Sequence, residues 1–557
     1  MPDRYERAIG PAFLQLTLHI DARPGTIALP PLRTAGTVAD HVGDGDQPAR
    51  LLIGIRDRIV PVSPAAGERW TSIRLDLSSG ALDISGPSDA GFDPLPLPDD
   101  RECKTGVQND KTLRIVADWY DLTVTFFSGR HNDEPLFLID KGLSEMWLVS
   151  GVASLRAQGA STPISANAVN FFLGFGHNRP EQLLFDGVHP LYPGRSLIVR
   201  STDDGGRDVS PLVRSNGELS RTASQDPLAN LQTCLAPDVA GKSVALVASS
   251  CSSCSWMAEA LKMCGAAEVK VATLGGLSLS AIQTAMIVHT GQPHSDPGLL
   301  LDASAAVTAA AEADVVVIDW GIEGVFTPPA AFVPFVKALA GMTEMSTRSM
   351  LGGFLKSNLF ARDVLFDQIC AFPDEERFLV LGPQLLGEGF AAMADQLGTD
   401  LDQATLEEAA GARATAEVSR INRAFKLECS AIPLLFGLRS MVRKPVLAPF
   451  LSNEIAAATH SESVWQSPSA EVATVRSDNA EIPPDAKQLV TTTLRSVLHS
   501  NARLFRMGFV ARTPTVRALT NDGDATRQLL HQQLTLLGLE KWLKTLRSVS
   551  EENRHGE

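Results

Sequence analysis

No stretch of this sequence reaches eighteen consecutive apolar residues, and its opening, MPDRYERAIG, lacks the apolar run of a secretion signal. No membrane-spanning helix is expected, and the cytoplasm is the expected location. Positive charge is also short. Lys and Arg number 49 against 64 Asp and Glu, a formal net charge of −15. That balance excludes nucleic acid or an anionic membrane surface as the main partner. Cysteine is scarce and odd in number: seven, at positions 103, 234, 251, 254, 264, 370 and 429. Such irregular spacing builds no disulfide framework. Cys251 and Cys254 form a C-x-x-C, but no second pair and no suitably spaced histidine completes a zinc site, so no metal centre is expected. What remains is ordinary: 44% hydrophobic and 20% charged residues are globular proportions. At 557 residues the chain exceeds one core, and two or three domains are expected.

The chain is organised around Val244–Leu261, VALVASSCSSCSWMAEAL. Val244–Ala248 is a valine-rich run of the length of one buried strand. Ser249–Ser255 holds only Ser and Cys and reads as a tight polar loop, and helical spacing restarts at Trp256. Strand, loop and helix N-terminus make an anion site, because unpaired N–H groups and the helix dipole point into the loop. Within it Cys251 and Cys254 read as small loop-filling residues in preference to a redox pair.

Before this stretch, short apolar runs (Phe13–Ile20, Leu51–Ile55, Ile73–Leu77) between Pro, Gly and Asp clusters read as strands joined by turns. Leu113–Ala117, Leu122–Phe127, Leu136–Ile139 and Met146–Val149 predict four more, taken together as an antiparallel meander. Ser201–Pro227 is polar and rich in Ser, Asp and Gly, the composition of a linker. Strand–helix alternation then predicts a parallel α/β sheet. Val269–Leu274 is its next strand, Leu277–Thr290 a helix, Ser304 the start of an Ala-rich helix, and Asp314–Ile318 a third strand. His294 reads as a loop histidine at a helix end in preference to a ligand. Ala404–Glu428, Ala486–Leu498 and Thr526–Leu546 read as helices, with a loop over Ser461–Pro484.

Val244–Ser255 resembles, in register and without a gap, the ATP-pyrophosphatase loop of the asparagine synthetase family, V-x-V-x-L-S-G-G-x-D-S-S followed by an apolar helix. Ser249 and Ser255 keep the first and last serines. Ser250 and Cys251 replace the glycines and Ser253 the aspartate. Leu184–Leu197, LFDGVHPLYPGRSL, is similar to the family's "lF-x-g-V-x-x-L-p-P-G-x-x-L", keeping Phe185, Gly187, Val188, Leu191, Pro193 and Gly194. Ser128–Leu138 keeps Pro135 and Leu136 of another family element, Val149–Leu155 keeps Ser150 and Leu155, and Ser165–Leu173 is spaced like a family helix. Asp319–Phe326, DWGIEGVF, aligns on "G-x-G-x-D-E-L-F-G-G-Y" with Gly321 on the second glycine and Glu323 on the Asp. A poorer alternative is Leu379–Phe390, with Glu388. Ser440–Asn453 resembles "g-x-E-x-R-x-P-F-L-D", with Arg443 on the Arg. Arg506–Pro514 resembles "R-x-K-x-G-F-x-x-P" with Met507 in place of the lysine.

The resemblance implies an α/β fold. A glutaminase-like (Ntn-type) α/β sandwich over 1–215 would precede a doubly wound parallel-sheet PP-loop synthetase domain over 228–557, with a helical C-terminal part. The chain would be a degenerate member. The family's glutaminase nucleophile is an N-terminal cysteine, whereas this sequence reads Met1-Pro2, so no glutaminase activity is expected. The implied cofactors are ATP and Mg²⁺. The implied site comprises Val247, Ser249, Ser250, Cys251, Ser252, Ser253, Cys254, Leu274 and Gly321 for binding, with Glu323 catalytic. Two functions follow. One is an AMP-forming carbon–nitrogen ligase joining a carboxylate to an amine other than glutamine-derived ammonia, on a small-molecule or peptide substrate in a biosynthetic pathway. The other is a pseudoenzyme retaining the fold as a binding or assembly partner of another protein; either leaves a homo-oligomer open. Each lost backbone or charged contact costs about 1–3 kcal/mol, so the substitutions at 250, 251 and 253 weaken Mg·ATP binding by roughly 10²–10⁵-fold.

Overall fold

The computed structural model describes residues in segments within 15–20, 51–85, 112–211, 227–321, 371–372, 430–451, 484–511 and 527–552. Two units divide the chain: Met1–Thr162 with Pro180–Val213, and Pro163–Arg179 with Arg214–Glu557. Residues 163–179 thus leave the first unit for the second, an excursion that the division into 1–215 and 228–557 does not contain.

The first unit is built from strands β1 (Gln15–Ile20), β2 (Leu51–Ile55), β3 (Arg58–Val62), β4 (Trp70–Asp76), β5 (Leu82–Ser85), β6 (Thr112–Asp118), β7 (Thr123–Ser128), β8 (Leu136–Asp140), β9 (Glu145–Ser150), β10 (Val188–Leu191), β11 (Ser196–Ser201) and β12 (Arg207–Pro211). They form two six-stranded sheets, ordered β10-β8-β9-β1-β2-β3 and β12-β11-β7-β6-β4-β5. Every described pairing in them is antiparallel. All the strands expected from the apolar runs are present, but the meander is not. β6 pairs β7 in one sheet while β8 pairs β9 in the other. Alternating apolar residues specify a strand and its buried face without specifying which edge it joins. A second correction concerns the linker. Arg207–Pro211, inside the polar Ser201–Pro227 stretch, is the edge strand β12, registered on β11 from Leu197↔Pro211 to Ser201↔Arg207. Polar residues and a proline are what an edge strand tolerates, so composition alone read it as a loop. Pro193 and Gly194, expected to turn between strands, lie outside the described residues, between β10 and β11.

The second unit takes helix α1 (Ala166–Phe175) from the excursion. It continues with α2 (Pro227–Val239), β13 (Ser243–Val247), α3 (Cys251–Met263), β14 (Glu268–Val271), α4 (Leu279–Thr290), α5 (Pro297–Ala309) and β15 (Val315–Ile318). It closes with α6 (Ile432–Met441), β16 (Val446–Leu447), a 3₁₀ turn at Pro449–Leu451, α7 (Pro484–Val497), the short α8 (Arg503–Arg506) and α9 (Arg527–Glu552). Strands β14-β13-β15-β16 make a parallel sheet. β13 and β15 bury both faces, which is why they read as continuous apolar runs, whereas β14, EVKV, is an edge strand and mostly exposed. Ala245, Val247, Val316 and Ile318 point into a core with Ile282 and Met286 of α4, Leu300 and Ala303 of α5, Leu434 of α6 and Leu534 of α9. Val244, Leu246, Val315 and Val317 point the other way, onto Leu231 and Leu235 of α2 and Met257 and Leu261 of α3. Burying such side chains contributes about 1.5–3 kcal/mol each.

Helix α5 begins at Pro297, seven residues before the Ala-rich run that announced it. Asp296 caps it, its Oδ1 accepting from Leu299 N at 3.0 Å, and Pro297 occupies the first turn. An acidic cap followed by proline is a start signal that the alanine run overshadowed. The helices expected at Leu277–Thr290, Ala486–Leu498 and Thr526–Leu546 are α4, α7 and α9, while Ala404–Glu428 lies outside the described residues.

The excursion has a testable consequence. A protease cutting within 212–226 separates α1 from the rest of the second unit covalently, yet α1 packs against α9. Two bands are expected on a denaturing gel and one peak on native size exclusion. Two separate native peaks would contradict the assignment of 163–179 to the second unit.

Candidate anion site at the parallel sheet

β13 lies between β14 and β15, so the chain leaves it toward β14 with α3 on one face, then crosses to β15 with α4 and α5 on the other. The direction of winding reverses at β13. Strands that wind apart leave a crevice at their carboxyl ends, where α/β sheets bind ligands.

Val247 is the last residue of β13 and is 3% exposed. Its carbonyl accepts from Asp319 N at 3.1 Å, tying the exit of β15 to the exit of β13. Gly321 follows with φ +93°, a left-handed conformation that glycine adopts without strain. Between them Trp320 is held by its indole N–H, which donates to Asp302 Oδ2 at 2.9 Å. Asp319 is fully buried. This acid was not among the candidate residues; a lone Asp directly after a four-residue apolar strand is the signal that marks it.

The Ser/Cys segment differs from expectation. Helix α3 begins at Cys251, so Cys251, Ser252, Ser253 and Cys254 form its first turn and only 248–250 connect it to β13. Trp256 is the sixth helical residue, not the first. The segment contains neither glycine nor proline, and serine is well tolerated where helical N–H groups lack partners, so nothing delays the helix. Cys254 is half-buried at the edge of the α2–α3 core. Of the candidate residues, Val247 ends β13, Cys251, Ser252, Ser253 and Cys254 open α3, and Gly321 follows β15. Ser249, Ser250, Leu274, Glu323, Glu388 and Arg443 lie outside the described residues.

Behind α4 is a polar layer that the sequence did not announce. Thr290 Oγ1, in the last turn of α4, lies 3.0 Å from His294 Nε2. Gln283 Nε2 donates to His294 O at 2.6 Å and Leu534 O at 2.8 Å. Asn178 Nδ2 donates to Gln292 Oε1 at 3.0 Å. Ser295 Oγ donates to Gly176 O at 2.7 Å and lies 3.1 Å from His531 Nε2. Trp542 Nε1 donates to Gly291 O at 2.8 Å. His294 thus sits at a helix end, packed inside rather than facing solvent. Burial holds His177 down to about 4, opposed by its hydrogen bond to Asn178 and by the charge of Asp296. Burial, reinforced by the nearby His177, holds His294 down to about 3. Lys541 Nζ donates to Ser280 O and Oγ, each at 2.5 Å, and to Thr284 Oγ1 at 2.7 Å. Burial lowers this lysine to about 8.

Among the described residues no three His, Cys, Asp or Glu side chains gather as a metal-binding group, and no helix is long and apolar enough to cross a membrane. Compared with known proteins, the chain matches no family model and no curated sequence.

Proposed function

We propose that the second unit is an asparagine synthetase-type phosphate site, and that the protein joins a carboxylate to an amine other than glutamine-derived ammonia at the expense of ATP. The observation that carries this reading is the coincidence of the winding reversal with the motif-like segment. The first turn of α3 starts at the carboxyl end of β13, between β14 and β15. A helix N-terminus suits an anion, and ATP with Mg²⁺ is the reactant that the resemblance supplies. The first unit's two antiparallel sheets are consistent with a scaffold of the glutaminase-like kind.

The second reading is a protein that keeps the fold as an assembly partner. It is favoured by the sequence, which has Ser250 and Cys251 where the resembled motif has glycines and Ser253 where it has the aspartate that would organise Mg²⁺. Calorimetric titration with Mg·ATP separates the two. The expected result is weak binding, with a dissociation constant on the order of 0.1–1 mM, lost when Ser250 is replaced by Trp. Absence of heat at saturating Mg·ATP would overturn the ligase reading in favour of the partner.

A further inference from the structure

We propose that Ser280 is a nucleophile and Lys541 its general base, and that together they hydrolyse a small carboxylic ester through an acyl-serine intermediate. The reaction consumes no ATP, so it stands whether or not the phosphate-site reading does.

Lys541, in α9, meets Ser280 and Thr284, which lie one turn apart in α4. Its Nζ is 2.5 Å from Ser280 Oγ, 2.5 Å from Ser280 O and 2.7 Å from Thr284 Oγ1. The Thr284 hydroxyl donates to Ser280 O at 2.9 Å, so toward the lysine its oxygen only accepts. A neutral amine carries two protons and one lone pair. With its protons given to Ser280 O and Thr284 Oγ1, the lone pair is left for the Ser280 hydroxyl, and every group in the cluster is satisfied. An ammonium would instead spend its third proton on Ser280 Oγ. The Ser280 proton would then have no acceptor among the described residues.

Electrostatics push the same way. No carboxylate pairs with Lys541 among the described residues. Its partners lie in the first two turns of α4, the positive end of the helix dipole, where a cation is disfavoured. Burial lowers the amine to about 8, close to the range in which a general base works best. A nucleophile within reach of its base, with the base oriented by a third group, is the arrangement of covalent acyl transfer. Gln283 Nε2 donating to Leu534 O, and Trp542 Nε1 donating to Gly291 O, pin α9 to α4 on either side of Lys541. Ser280 is 9% exposed, while Thr284 and Lys541 are half-buried. Such partial access admits a small acyl group and not a folded polypeptide.

The reaction balances with water as the only co-reactant. Ser280 Oγ attacks the ester carbonyl carbon as its proton passes to Lys541 Nζ, and the helix N-terminus favours the negative charge that develops. The bond to the alcohol oxygen breaks, and that oxygen leaves with the proton from Nζ. Water then gives a proton to Nζ and attacks the acyl carbon. Ser280 Oγ departs, recovers its proton, and a carboxylic acid is released.

The full chain is incubated with an alkyl fluorophosphonate, which loses fluoride to an activated serine oxygen, and is then weighed. One phosphonyl group is expected, absent in Ser280→Ala. Labelling should be slower by about a hundredfold or more in Lys541→Met and Lys541→Arg, the usual contribution of a general base. Arginine keeps the cation but does not give up a proton, so it separates a base from a lysine that only fills space. Unfolding midpoints are read alongside; should the lysine variants fail to fold, the serine arm decides. With p-nitrophenyl acetate, an acetyl group on Ser280 that is later released as acetate is expected. No phosphonyl group, one that survives Ser280→Ala, equal labelling rates in Lys541→Arg and wild type, or an acetyl group resting on Lys541 would each overturn the proposal.

Discussion

Alanine at Gly176 is expected to destabilise the second unit by about 4 kcal/mol, while alanine at Gly241 costs about 1–2 kcal/mol. Both glycines are left-handed, with φ of +75° and +72°, so the backbone strain is nearly the same in each. The surroundings differ. A Cβ on Gly241 meets nothing within 4 Å, whereas one on Gly176 collides with Ser295 Oγ and with His531 Nε2. Ser295 cannot step aside, because its hydroxyl donates to Gly176 O and accepts from Thr535 Oγ1 at 3.0 Å. Denaturant midpoints of the two variants and the wild type decide the matter. Equal losses would show that strain alone matters and that α1 is not seated on α9 as described.

Lowering the pH from 7 to 5 is expected to remove about 4 kcal/mol of stability, through His177 and His294 together. Both are neutral in the folded protein because burial disfavours the imidazolium, with values of about 4 and about 3 against the usual 6.5. Below 6.5 the unfolded chain takes up a proton at each position and the folded chain does not, so unfolding gains ground as acid is added. Each histidine contributes about 2 kcal/mol over the 1.5 units between 6.5 and 5. A proton on His177 Nε2 would also find no acceptor among the described residues. Asp296 works in the opposite direction at His177, and the nearby His177 adds to the effect of burial at His294. Thermal or denaturant unfolding at pH 7 and pH 5 measures the loss. In His294→Gln with His177→Leu the loss should fall to less than half. An unchanged loss would assign the acid sensitivity elsewhere.

Of the residues behind these predictions the sequence singled out only His294, as a loop histidine at a helix end, and the reason is distance along the chain. Strands such as VALV and VVVI were legible because a strand buried on both faces writes its environment into a few adjacent residues. Helix α5 was half legible: its alanines were seen, its Asp296 cap was not. The meander failed because hairpins β6–β7 and β8–β9 look alike whether they share a sheet or not. The winding reversal at β13 was implied by strand–helix alternation, but strand order is a tertiary fact, and so is the buried Asp319 that follows β15. Least legible was the polar layer, whose members are ordinary Ser, Thr, Gln and His. Their hydrogen bonds span 119 residues from Ser295 to Gly176 and 251 from Gln283 to Leu534. No local pattern records a contact of that separation.

The crossing of residues 163–179 into the second unit also bears on how the molecule is made. α1 leaves the ribosome early, whereas α9, on which it packs, follows about 350 residues later. Its apolar face, with Phe171, Phe172 and Phe175 buried in the folded protein, must wait for its partner while that intervening chain is made. Long-range closure of this kind slows folding and leaves sticky surface in view of other chains. The second unit is therefore not a module that can be excised or shuffled as one contiguous piece: its completion is timed by the arrival of α9.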